Sequence, residues 1–341
     1  MSLFNLISFT NKIRSNLPIK LIPYFLLSVF FNQTALADEK VKHLTWAHVY
    51  ELSEPLHLWA KWAAKEIEKE TNGRYVINVF PSSIMGKEGE INQSLSLGTV
   101  DIIYTGTSFA GQTYPPMTLS ELPYIFRDYQ HWQNFNKSAL FDDIALGYKN
   151  ASMGNQVVGN NYYGQRHVTS SKPIRTPDDM IDLKLRVPNA SIYKMFPLAV
   201  GANPSPIAFS EVYLALQQGV VDAQENPLPT IKAKKFYEVQ KYINLTGHLQ
   251  GSVLTVTNDK LWSSLTPKDK AIFTDVFKRA ALGVSEDTRQ AELALQQWFE
   301  AQGVTVISVD RGLFREKVLP SHQNVKQALG ATFYDRLQNI Q

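Results

Sequence analysis

The sequence predicts an α/β protein of two lobes, and three observations carry the prediction. Between residues 42 and 106 the chain alternates strand and helix patterns in the order β-α-β-α-β, the pattern of a parallel sheet covered by helices. The same grammar returns between 155 and 223, after a middle that lacks one continuous core pattern. From Pro267 to Gly303 the pattern is almost wholly helical, and a single helix of that length would run about 50 Å at 1.5 Å per residue, enough to lie across both lobes.

Each element has its own reason. "HLTWAH" (43–48) reads as a strand, and "EPLHLWAKWAAKEIEKETNG" (54–73) as a helix with Pro55 near its start. Trp59, Trp62, Ala63 and Ile67 form that helix's apolar stripe, and Gly73 follows its end. "YVINVF" (75–80) is a strand, "EGEINQSLSLG" a helix closed by Gly98, and "VDIIYTG" (100–106) a third strand. In the second block "NQVVGNNYY" (155–163) and "KLRV" are strands, "FSEVYLALQQG" is a helix stopped at Gly219, and "VVDA" is a strand. Gly283 leaves two readings of the later helical stretch, one helix or two broken there. "VTVISV" (304–309) is the last strand.

The first 37 residues read as a secretory signal peptide. Lys12, Arg14 and Lys20 lead, Leu21 to Phe31 is largely apolar, Ala35-Leu36-Ala37 offers a small-residue cleavage site, and no acidic residue precedes Asp38. The alternative is a membrane anchor, but eleven positions fall short of the roughly 20 needed to span a bilayer. The chain has 34 Lys+Arg against 31 Asp+Glu. Lys12, Arg14 and Lys20 account for the excess, so the stretch from Asp38 is formally neutral and gives no argument for nucleic acid or anionic membrane. Cysteine is absent, which removes both disulfides and a lipid-anchoring thiol. The fold must therefore rest on its core.

Enzyme signals are poor. "GTSFAG" (106–111) fails the serine-hydrolase elbow because Ala110 stands where glycine is needed. No phosphate-cradling or dinucleotide glycine motif appears. Glu54 and His57 have ExxH spacing without the second pair that a bundle-type metal site uses. The seven histidines show no ligand-like cluster, so no metal or cofactor is expected. His48, ending the first strand, is the one histidine placed where a cleft could lie.

Arginines stand out instead. Open α/β sheets bind ligands beyond the carboxyl ends of their strands. Arg186 in "LKLRVPNA" is at such an end, as are Arg166 in "YYGQRHV" and Asn226 in "VVDAQENP" if that strand is parallel. A guanidinium fork matches a carboxylate, so these groups converging would suit a small organic anion. The bland alternative pairs Arg186 with a nearby acid.

Residues 172–248, from "KPIRTPDDMIDLKLRVPNA" through "FSEVYLALQQGVVDAQENP" to "YINLTGH", together with "GRYVINVFPSSIMG" (73–86) and "LGTVDI" (97–102), resemble the DctP-type solute-binding proteins of tripartite ATP-independent periplasmic (TRAP) transporters. The resemblance implies a two-lobe periplasmic-binding-protein architecture, a ligand cleft between the lobes and a long helix spanning both. The corresponding division is a signal peptide at 1–37, lobe I at 38–163 plus 252–291, and lobe II at 164–251 plus 292–341. Arg186 would grip the ligand carboxylate, Arg166 would be a second donor, and Asn226 would add an amide contact. Asn189 and Phe209 would line the pocket, and Glu88 would take ligand hydroxyl hydrogens. For Phe209 core packing is the alternative, and for Glu88 an exposed helix-start acid.

Two departures matter. Sialic-acid binders carry an asparagine on the first strand and a glutamate after the third, where this chain has His48 or Val49 and Gly106. Asp182 replaces the usual glycine before "LKLR", and aspartate tolerates a left-handed turn better than most residues. The expected function is a monomeric, non-catalytic periplasmic binder of a small organic acid that passes it to a small and a large TRAP membrane subunit. A sugar acid (hexuronate, aldonate or sialic-acid-like) is favoured over a C4-dicarboxylate. A secreted lyase or hydrolase using His48 or Glu88 as base is the alternative of another class.

Overall fold

The computed structural model describes residues 40–341; the expected signal peptide lies outside them, and Asp38, the expected first residue of lobe I, does too. Among the described residues nine strands form one sheet: β1 (Lys42–Ala47), β2 (Tyr75–Phe80), β3 (Ile102–Gly106), β4 (Gln156–Ser170), β5 (Lys184–Val187), β6 (Asn203–Pro206), β7 (Ala223–Pro227), β8 (Tyr242–Thr257) and β9 (Thr305–Ile307). Their order is β2-β1-β3-β8-β4-β7-β5-β6, with β9 also paired to β8. β2, β1 and β3 are mutually parallel, as are β7, β5 and β6. Between these groups the long strands β4 and β8 run antiparallel and belong to both lobes. Parallel strands need crossover connections, and the helices Pro55–Glu70 and Glu88–Ser96 provide them in the first group.

The expected parallel order holds within each group, but the connecting ribbon departs from it. β4 extends seven residues past the expected end at Tyr163, and β8 has no counterpart among the expected strands. β8 is buried along nearly its whole length, so it lacks the polar-apolar alternation that marks a half-exposed strand. The ribbon shifts register between Tyr162 and Gly164 and again between Arg166 and Val168. Gly164 pairs with Gly251 at the shift after Tyr162 and takes φ +113°, and a Cβ there would meet Pro227 at 2.7 Å. Asp182 indeed sits at φ +62° before β5.

The helical stretch is one helix, Pro267–Ala301, capped by Thr266, whose hydroxyl accepts from Asp269 N–H. Gly283 does not break it. A Cβ at that position would meet the Trp59 ring at 2.2 Å, so the glycine is a notch for the helix Pro55–Glu70, fastened by Trp59 Nε1 donating to Asp287 (2.7 Å). Phe273, Phe277 and Val284 enter the core under β1 and β3, while Leu295 and Phe299 enter a core with Ile231, Phe236 and Ile243. The helix thus touches both lobes.

A third apolar cluster joins Leu185 and Val187 of β5 to Phe314 and Val318. The expected division assigned all of 292–341 to lobe II. Leu329 and Leu337 are buried in the same cluster as Trp46 and Phe277, to which the helix Ala331–Gln338 returns. Among the described residues no helix is long and apolar enough to cross a membrane.

Candidate functional site

The carboxyl ends of strands from both parallel groups face one cavity of about 330 Å³. β1 leads into Val49 and Tyr50, β3 ends at Gly106, β5 supplies Arg186 followed by Pro188 and Asn189, and β7 supplies Asn226. Six of the seven expected residues line it: Arg186, Arg166, Asn226, Asn189, Phe209 and Glu88. Arg166 arrives by a different route from the one expected. It lies inside β4, four residues before the strand ends, and reaches the cavity because the ribbon crosses beneath it.

The two guanidinium groups have different partners. Arg166 donates through Nε and Nη2 to the Glu225 carboxylate and through Nη2 to the Glu225 carbonyl (2.8 Å). His248 Nε2 lies 3.3 Å from the same carboxylate. Burial works against both charges, yet each supports the other: Arg166 stays above its usual range, and Arg166 with His248 holds Glu225 down to about 2. This pair is internally neutral.

Arg186 is 1% exposed, and among the described residues its bonds go to a carbonyl and not to a carboxylate. Its Nε and Nη2 both donate to the Ile207 carbonyl, at 3.0 and 2.7 Å, while Nη1 is buried without a partner. Burial, with a further push from Arg166, lowers it to about 10 although Glu225 pulls the other way. A buried cation with an unspent N–H at a cavity wall is costly unless an anion completes it.

Acids close the opposite side. Glu88 opens the helix Glu88–Ser96, and its Oε1 accepts from Gly106 N–H (2.7 Å) and the Thr105 hydroxyl (3.2 Å). Burial pushes it up to about 7, against those bonds and the two arginines. At the end of the third strand the chain offers the Gly106 amide, and the acid beside it comes from Glu88. Glu121, overlooked in the sequence, is fully buried. It accepts from Ser252 N–H and the Thr107 hydroxyl (3.0 Å each) and from the Tyr193 hydroxyl (3.2 Å), and burial raises it as well.

Asn226 spends its amide N–H on Gln224 (2.6 Å), and its oxygen lies 3.5 Å from the Tyr163 hydroxyl. Phe209, half-buried, faces Tyr50 at 6.3 Å between centroids. Tyr163, Tyr193 and Phe109 complete an aromatic wall that no periodicity announced.

His48 does not join them. It is buried against His57 (Nε2 to Nδ1, 3.2 Å), and burial first and His57 second lower it to about 3. Val49 and Tyr50, one and two residues later, take the wall position. Side chains from the two lobes also meet around the cavity. Thr230 donates to Glu54 (2.7 Å), Lys234 to Glu51 (2.7 Å) and Lys87 to Glu211 (2.5 Å). The Glu54–His57 spacing is thereby used up in separate contacts, and no group of acids and histidines that could hold a metal occurs among the described residues.

Two α/β lobes meeting over a buried, uncompensated guanidinium with acids and aromatics opposite define a binding protein for a small organic acid. Residues 46–328 match the family described as bacterial extracellular solute-binding protein, family 7. The chain belongs to this DctP family of TRAP extracytoplasmic solute-binding proteins. It is 32% identical to the sialic acid-binding periplasmic protein SiaP of Vibrio cholerae over 281 residues, 82% of this chain and 86% of that one. A TRAP solute-binding protein from Polaromonas sp. JS666 with bound D-erythronate superimposes with a TM-score of 0.84 at 30% identity, covering 88% of this chain and 99% of that one. One from Sulfurospirillum deleyianum with bound succinate gives 0.83 at 26%, covering 89% and 100%.

Proposed function

We propose that the protein captures a monocarboxylic sugar acid, an aldonate or hexuronate, in the periplasm and delivers it to a TRAP permease made of a small and a large membrane subunit. The observation that carries the reading is that Arg186, a residue lining the cavity, keeps a buried Nη1 without a partner. Arg166 is neutralised by Glu225, so one positive charge is left for one carboxylate. A second carboxylate would meet Glu88 and Glu121, not a free cation, and this separates a sugar acid from a C4-dicarboxylate. The hydroxyls of a sugar acid suit the same groups: Glu88 and Asn226 accept, while the exposed Asn189 amide offers both donor and acceptor.

Phe209, Tyr50 and Tyr163 supply apolar faces for the carbon skeleton. Ligand held by Arg186 in lobe II completes contacts to Glu88 in lobe I, so it favours the closed form by its differential affinity for that state. The occluded site excludes water and strengthens the ion pair, and the permease reads the closed shape.

A thermal-shift panel followed by calorimetry tests the proposal, because a ligand raises the melting point by mass action. D-galactonate, D-erythronate and D-glucuronate should stabilise the protein more than succinate or malate at equal concentration. Stabilisation by succinate alone would move the assignment to C4-dicarboxylates, and stabilisation by no carboxylate would end it.

A further inference from the structure

Strand β4 has two faces. Arg166 points into the ligand cavity, whereas its neighbours Gln165 and His167 line a second cavity of about 420 Å³. This cavity is bounded by β4, β8, the helix Pro267–Ala301, the segment around Arg127 and the start of the helix Arg311–Val318. Three groups there have unspent hydrogen bonds. Gln250 stands opposite Gln165 in the ladder, is 4% exposed, and has no partner on either its amide nitrogen or its oxygen. Buried side-chain amides are rarely left so. His167 accepts the Gly247 N–H on Nδ1 (3.0 Å), which puts its proton on Nε2 as a donor. Arg311 donates Nη2 to the Gly247 carbonyl (2.8 Å) and has no carboxylate partner.

The other charges of this cavity are occupied. Arg289 lies 3.4 Å from Glu292, and Glu292 also accepts from the Tyr162 hydroxyl and Gln165 N–H. Arg127 donates to the carbonyls of Gln338 and Ile340, and Asp128 caps its helix by accepting from His131 N–H. Arg311 stands beside His167, since both hold the Gly247 peptide, and Gln250 can both give and take a hydrogen bond.

We propose that this cavity behind the ribbon is a second binding site, separate from the cleft, for a small hydroxycarboxylate whose carboxylate lies on Arg311 and His167 and whose hydroxyl pairs with the Gln250 amide. Its walls come from both lobes and from the ribbon on which they turn, so an occupant that fits one lobe arrangement better shifts the balance between arrangements.

The test uses the full chain, glycolate as probe and ligand-observed saturation-transfer NMR. In an Arg186→Met background, where the cleft has lost its guanidinium, glycolate should still receive saturation. Adding Arg311→Met or Gln250→Leu should reduce the signal at least fivefold with the melting curve retained. Equal signals in all three proteins overturn the proposal, as does a glycolate-soaked crystal in which only ordered water lies on Gln250. Arg311 is exposed, so its variant keeps the test informative if Gln250→Leu misfolds. The comparison between Arg186→Met and its double variants isolates this cavity, so it stands whether or not the cleft takes a sugar acid.

Discussion

Replacing Arg186 with methionine should abolish ligand binding and yet leave the ligand-free protein slightly more stable. A guanidinium held down from 12.5 to about 10 is disfavoured in its charged form, by roughly 3 kcal/mol at about 1.4 kcal/mol per pH unit. The group is 1% exposed, so solvent screening does not discount this much. Methionine fills a similar volume without the charge. Against the gain stands the Ile207 carbonyl, which loses both its donors, at a cost of about 1–3 kcal/mol. The balance is about 1 kcal/mol in favour of the variant, or roughly 2 °C in Tm for a chain of this size. Differential scanning calorimetry without ligand measures the stability, and titration calorimetry with D-galactonate measures the binding. A Tm several degrees lower would mean that Arg186 holds up its surroundings, and the argument from an uncompensated charge would be refuted. Unchanged affinity would take Arg186 out of the site.

Four further outcomes follow from the same geometry. Arg186→Lys keeps the charge but has one ammonium where the fork serves Ile207 and the ligand together; losing one charge-assisted bond, worth about 1.5–3 kcal/mol, should weaken D-galactonate binding at least tenfold in calorimetry, with little change in Tm. Glu88 is raised to about 7, so an anionic ligand should bind roughly tenfold more weakly at pH 8 than at pH 6, and Glu88→Gln should flatten that profile. Glu54 and Glu88 both stand near 7 when folded, so their contribution to stability is fully present below about 4.5 and is lost as pH rises through 7. His48 and His167, lowered to about 3, contribute above 6.5 and lose that contribution as pH falls, so Tm should decline between pH 6.5 and 8, and less steeply in Glu54→Gln. Gly283→Ala would drive a Cβ into the Trp59 ring, and the overpacking should cost about 1–3 kcal/mol, read as a lower urea midpoint.

The parallel strands were legible because they are short and bounded by turn residues, and the strand-end rule pointed to Arg186 and Asn226, which do line the cavity. The rule misplaced Arg166, whose role depends on a strand continuing past Tyr163 across the ribbon. β8 stayed hidden because burial on both faces erases alternation and its glycines read as breaks. For His48, the last residue of a strand pattern says nothing about which way its ring turns, and here the ring turns to His57. Glu121, Tyr193 and Ser252 lie far apart in sequence and meet only in three dimensions, so no spacing could have joined them. Gly283 could not be read either way without knowing that Trp59 lies over it.

The last turns of the chain have a consequence for how the molecule is held together. Leu337 is buried in the same core as Trp46 of the first strand, its carbonyl lies 3.0 Å from His131 Nε2, and Gln338 and Ile340 receive the Arg127 guanidinium. The first lobe is thus sewn from the earliest and latest parts of the described polypeptide, with the whole second lobe intervening. The native contacts of that core therefore close over nearly the full described length, and removing residues 323–341 should loosen the core around Trp46 while leaving the Leu185–Phe314 cluster its partners.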